Sequence, residues 1–96
     1  MELTNKDEKV IEETAANIDD LIRGHYYSRE QILLIVNEYL KMDLLAMKYQ
    51  TREAILYTLC DAVMYYGIKS LVNWQPLVSI RKYLEDDLQE YIDEII

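Results

Sequence analysis

The chain is poor in the residues that build active sites and loops: one cysteine, one histidine, one proline, two glycines and no phenylalanine. A lone Cys60 excludes an internal disulfide, and small secreted domains usually carry several cysteines as staples. A reducing, cytoplasmic setting is therefore expected, the host cytoplasm if the chain is viral. One histidine and one cysteine exclude zinc sites, which need several such ligands at close spacing. They also exclude di-iron carboxylate bundles, which need a Glu-x-x-His pair on each of two helices. A glycine-rich phosphate loop, a nucleophile elbow and the two-histidine metalloprotease motif are all missing. The expectation is a protein with no catalytic residue, no metal and no cofactor, and so not an enzyme.

Long apolar runs are also missing. None exceeds five residues, and the opening residues 1–8 lack the apolar core of a signal peptide, so neither a membrane span nor a targeting segment is expected. Positive charge is scarce: ten Lys and Arg face eighteen Asp and Glu, for a net charge of -8. That balance argues against direct nucleic-acid binding by phosphate neutralisation. The acid sits at the two ends of the chain, since residues 1–20 sum to -5, residues 21–83 to +3 and residues 84–96 to -6.

What the chain does contain is apolar material at helical spacing. One domain, residues 1–96, is expected to form an all-α bundle of about four helices, antiparallel or orthogonal. The first, about 5–23, opens on Asn5 as N-cap with Glu8 closing a capping box. It buries Ile11, Ala15, Ile18 and Ile22, turns Glu12, Glu13, Asp19 and Asp20 outward, and stops at Gly24. The second, about 28–49, opens on a Ser28/Gln31 capping box and carries Ile32, Leu33, Val36, Leu40, Leu44 and Met47. Its break from the third, about 52–66, rests on an echo: Ser28-Arg29-Glu30-Gln31-Ile32-Leu33 and Thr51-Arg52-Glu53-Ala54-Ile55-Leu56 share one pattern, so Thr51 is expected to cap as Ser28 does. The alternative is one bent helix over residues 28–66. The fourth, about 76–95, has Pro76 in its first turn and an inward stripe of Leu77, Ile80, Leu84, Leu88, Ile92 and Ile95. Period-two alternation, the mark of a strand, is absent.

The third helix is apolar on nearly every side, with only Thr58 and Asp61 as a polar stripe. It is either the central element of the bundle or is covered by a second chain in a homodimer. His25 beside Gly24 reads as a loop residue, and Cys60 among Leu59, Ala62 and Val63 as a buried thiol. The acid pairs Glu12-Glu13 and Asp86-Asp87 fall on solvated faces, where an ordinary carboxylate is a poor general acid or base at neutral pH.

Two features point to surfaces. Nine of the aromatic residues are tyrosines, clustered as Tyr26-Tyr27 and Tyr65-Tyr66. They suit an interface, where an apolar ring keeps a polar end, or they close off the ends of the core. The other is the run Glu85, Asp86, Asp87, Glu90, Asp93 and Glu94, with no Lys or Arg after Lys82. Asp93 and Glu94 oppose the negative end of their own helix, so either a basic partner meets them or the helix end is simply solvated. The leading expectation is a small acidic inhibitor or adaptor that docks on a larger, basic, nucleic-acid-handling protein. Immunity proteins, antitoxins and phage anti-defence proteins belong to that class by size and charge alone. The alternatives are a helical DNA-binding regulator using Arg23, Arg29, Lys41, Lys48, Arg52, Lys69, Arg81 and Lys82, although no helix-turn-helix signature is visible, and a structural homo-oligomer.

Overall fold

The computed structural model describes residues 7–96, and among them there are five α-helices and no strand. The protein is an all-α small helical domain. The helices are α1 (Glu8–Arg23), α2 (Arg29–Leu40), α3 (Tyr49–Tyr66), α4 (Gln75–Val78) and α5 (Asp86–Ile95), with 3-10 turns at Leu44–Ala46, Lys69–Leu71 and Arg81–Tyr83 in the links.

The cap of α1 is Asp7, whose carboxylate accepts the Lys9 N–H at 3.0 Å. Asn5, the expected cap, lies outside the described residues. Gly24 follows the helix with an ordinary φ of -83°, and the left-handed residue is His25, at φ 57°. A Cβ at Gly24 would stand 2.4 Å from the Tyr26 ring, so a larger residue there would make that exposed side chain swing aside. The α2 start follows expectation, with Ser28 and Gln31 bonding each other's backbone at 3.1 and 2.8 Å.

Three expected boundaries are corrected. The second helix stops at Leu40, well short of 49, and the chain turns back through Lys41–Lys48 with Leu44 buried in its 3-10 turn. The bounding residues Lys41 and Met47 have negative φ values of -83° and -96°, so the turn needs no glycine or proline and leaves no such mark in the sequence. Thr51 is not a cap. Lys48 precedes α3, and Thr51 is buried in its first turn, where its hydroxyl donates to Glu8 Oε1 at 2.8 Å. The same Glu8 oxygen accepts the Lys48 N–H at 2.7 Å, so a carboxylate from α1 caps α3, and those two bonds hold its acid below the usual range.

The final helix is also not continuous. Leu84 and Glu85 are extended, with ψ of 159° and 152°, and they separate α4 and its following turn from α5. The expected stripe still faces inward, since Leu77, Leu84, Leu88, Ile92 and Ile95 are buried and Ile80 packs against them. The break puts Asp86 and Asp87 in the first turn of α5, where acids favour the positive helix end.

α3 lies at the centre, packed by α1, α2 and α5. Ile55, Leu56, Leu59 and Ala62 of α3 meet Ile11, Ala15, Ile18 and Ile22 of α1, Ile32, Ile35, Val36 and Tyr39 of α2, and the α5 stripe in one core. The polar stripe of this helix faces inward: Thr58 and Asp61 are buried, and Tyr57, Met64 and Tyr65 are exposed. Thr58 Oγ1 lies 3.2 Å from the carbonyl of Ala15, whose missing side-chain bulk lets α1 and α3 approach closely. Gly67 ends α3 in the left-handed conformation, φ 61°, with its N–H bonded to the Val63 carbonyl. Among the described residues no helix is long and apolar enough to cross a membrane.

Candidate functional site

The tyrosine pairs split by role. Tyr66, at the end of α3, accepts the Tyr27 N–H at 3.0 Å and donates to the Tyr27 carbonyl at 2.9 Å, tying the α1–α2 loop to α3. Both rings pack against the core. Tyr26 and Tyr65 point to solvent, Tyr26 with 76% of its surface exposed. The ring of His25, the left-handed residue, sits edge-on to Tyr65 at 5.6 Å and tilted against Tyr66 at 5.4 Å.

The six acids of the last segment are all exposed, and they divide evenly. Glu85 makes a two-oxygen contact with Arg52 Nη1 at 2.8 and 3.1 Å, Asp93 a fork with Arg81 at 2.7 Å on both arms, and Asp87 accepts from the Tyr49 hydroxyl. Arg81 holds the Asp93 carboxyl below its ordinary range. Asp86, Glu90 and Glu94 form no ion pair among the described residues. Half of the expected basic surface is spent in the same way: Arg23, Lys41, Arg52 and Arg81 pair with carboxylates, Lys82 sits over the Tyr83 ring at 5.2 Å, and Arg29, Lys48 and Lys69 form no ion pair among the described residues.

A further site was not expected from the sequence. A groove of about 490 Å³ runs between α1, α3 and α5, lined by Glu12, Asp19, Asp20, Glu53, Tyr57 and Tyr91 among others. At its edge Arg23 Nε lies 3.1 Å from Asp19 Oδ2 and 3.1 Å from Asp61 Oδ2, while its guanidinium bonds the Tyr57 hydroxyl and lies over that ring, 5.4 Å from the centroid. Asp19, placed on the outer side by its spacing, is in fact buried at 7% exposure, as is Asp61. The other Asp19 oxygen, Oδ1, is buried with no hydrogen-bond partner. Desolvation and the adjacent Asp61 carboxyl push the Asp19 acid up to about 7, against the opposing pull of Arg23. The signal available in the sequence was Asp61, an acid inside an otherwise apolar helix, with Asp19 and Arg23 one turn apart elsewhere.

Cys60 is half-buried, its thiol donates to the Tyr91 carbonyl at 3.3 Å, and burial pushes its acid up to about 12, which leaves little nucleophilic thiolate. Among the described residues no group of three or more His, Cys, Asp or Glu is placed to hold a metal ion. Comparison with protein families, with curated proteins and with solved structures finds no match for this chain.

Proposed function

We propose that this protein is a non-catalytic binding module, an inhibitor or adaptor of the immunity, antitoxin or phage anti-defence kind, that docks on a larger basic protein which handles nucleic acid. The observation that supports this reading is the imbalance between free and paired charge. Asp86, Glu90 and Glu94 project from α5 without an ion partner among the described residues, while four of the scarce basic side chains are neutralised within the chain. A surface of unspent carboxylates attracts a phosphate-binding face and steers its approach. Tyr26 and Tyr65, exposed at the far end of α3, supply ring area of the sort that anchors interfaces. The module acts in the cytoplasm, that of the host if the chain is viral.

The DNA-binding alternative draws less support, because the chain carries a net charge of -8 and Arg23, Arg52 and Arg81 are paired with its own carboxylates. Capture from native lysate with the wild type and with Asp86→Lys/Glu90→Lys/Glu94→Lys in parallel tests the proposal. The expected result is a basic nucleic-acid-handling protein retained by the wild type and lost from the variant. Equal retention by both would remove the role of α5, and a DNA duplex bound at about 50 mM salt would favour the regulator.

A further inference from the structure

We infer that Asp19 and Asp61 share one proton between α1 and α3, a pH-sensitive latch that holds the last turn of α1 against α3 and lets it go as the proton leaves. Such a latch is a property of the chain alone and goes beyond docking.

Donors are too few at this junction. Both carboxylates are buried, each with about nine-tenths of its side chain covered, and each places Oδ2 3.1 Å from the same atom, Arg23 Nε. That single N–H donates to Asp61, and Arg23 Nη2 turns to the Tyr57 hydroxyl. Asp19 receives neither bond, and its Oδ1 is buried without a donor. A buried carboxylate that accepts no hydrogen bond bears the full cost of leaving water. One proton on the pair removes that cost: a neutral Asp19 carboxyl donates to Asp61, and the anion left on Asp61 keeps Arg23 as its counter-ion. The charge balance agrees. Two carboxylates against one guanidinium leave a negative charge uncompensated at a buried junction, and two carboxyls holding one proton leave none.

Asp19 faces Asp20 and Arg23 on α1 and Tyr57 and Asp61 on α3, the groove beside it adds Glu12 from α1, Glu53 from α3 and Tyr91 from α5, and Cys60 stands next to Asp61. Of these groups only Arg23 is a cation. Burial and Asp61 therefore keep the Asp19 proton in place up to about pH 7. Its loss leaves two anions on one guanidinium, and water is the nearest relief. Asp19 stands one turn from the end of α1 at Arg23, so that turn is the part that lifts. The closed chain holds a proton that the opened one releases near pH 4, so opening becomes easier as pH rises from about 4 to about 7 and levels off above. The same turn leads into the loop carrying Tyr26, and the latch thereby steadies a ring of the proposed docking face.

Nuclear magnetic resonance of the full chain tests the latch without a partner. Carboxyl-carbon titration is expected to show Asp19 and Asp61 moving together with a midpoint near pH 7, and Asp61→Asn to bring the Asp19 midpoint down by at least about one pH unit. Amide exchange at Leu21, Ile22 and Arg23, corrected for the intrinsic rate, is expected to speed up at least about tenfold between pH 5 and pH 7. It should show no such rise in Asp19→Asn, whose side-chain amide donates to Asp61 at every pH. Movement of the Asp19 signal alone, a midpoint near pH 4, or a midpoint unchanged by Asp61→Asn overturns the shared proton. If Asp61→Asn fails to fold, the joint titration of the wild type decides by itself. Equal exchange profiles for the wild type and Asp19→Asn overturn the latch.

Discussion

Asp19 and Asp61 show how a residue's role depends on what the fold places beside it. Asp19 holds a proton in the native protein that the unfolded chain releases near pH 4, because burial and Asp61 raise its acid to about 7. Its contribution to stability is thus present in full below pH 4 and is lost as pH rises through 7. Asp93 works in the opposite sense: its lowered acid adds stability above pH 4 that is lost on acidification. We expect Asp19→Asn to remove the decline toward neutral pH, so that chemical denaturation finds the variant gaining on the wild type as pH rises from about 4 to about 7 and running parallel to it above. A parallel pair of stability curves would mean that Asp19 is ionised throughout. In the sequence, Asp61 stood out in an apolar helix, whereas Asp19, grouped with Glu12, Glu13 and Asp20 on the outer side, lies only about 60° around the helix from Ile22, at the edge of the apolar stripe. The close approach of α1 and α3 at Ala15 and Thr58 brings that edge under cover. Thr58→Val, which keeps the shape and deletes the hydroxyl, should cost about 1 kcal/mol in thermal or urea unfolding.

At the scale of elements, caps and stops were legible where they use distinctive residues and hidden where they do not. Ser28 with Gln31, and Gly67 after α3, announce themselves chemically, and the structure has both. The breaks at 41–48 and 79–85 are made of backbone conformations open to any residue, and the helical spacing of Leu77 to Ile95 persists across the second break. Periodicity alone therefore joined α4 to α5. The swap of Thr51 from cap to buried donor has the same origin, because its partner Glu8 is remote in sequence. Two substitutions test the stops. Gly67→Ala places a side chain at φ 61°, where the strain of about 1 kcal/mol should appear as lost stability even though the space around it is open. Tyr66→Phe removes both bonds to the Tyr27 backbone, and hydrogen exchange at Tyr27 and its neighbours should speed up while the centre of α3 stays protected.

For the molecule as a whole, an apolar third helix is expected to be either central or covered by a partner, and α3 is central within its own chain. Leu59→Ala, at the middle of that shared core, should lower the unfolding free energy by about 2–5 kcal/mol and keep a single transition. The sequence also showed surplus acid in the last segment without showing which acids are spent. The fold makes that division, tying Glu85, Asp87 and Asp93 to Arg52, Tyr49 and Arg81 and leaving Asp86, Glu90 and Glu94 outward. Reversing the first three should disturb internal contacts, and reversing the second three should disturb only an encounter. The most direct test of docking through unspent charge is the association rate of the captured basic protein with the wild type and with Asp86→Lys/Glu90→Lys/Glu94→Lys, measured across salt concentrations. The account predicts association at least about tenfold slower for the variant at low salt, with the difference fading as salt rises. Equal rates at every salt concentration would contradict it.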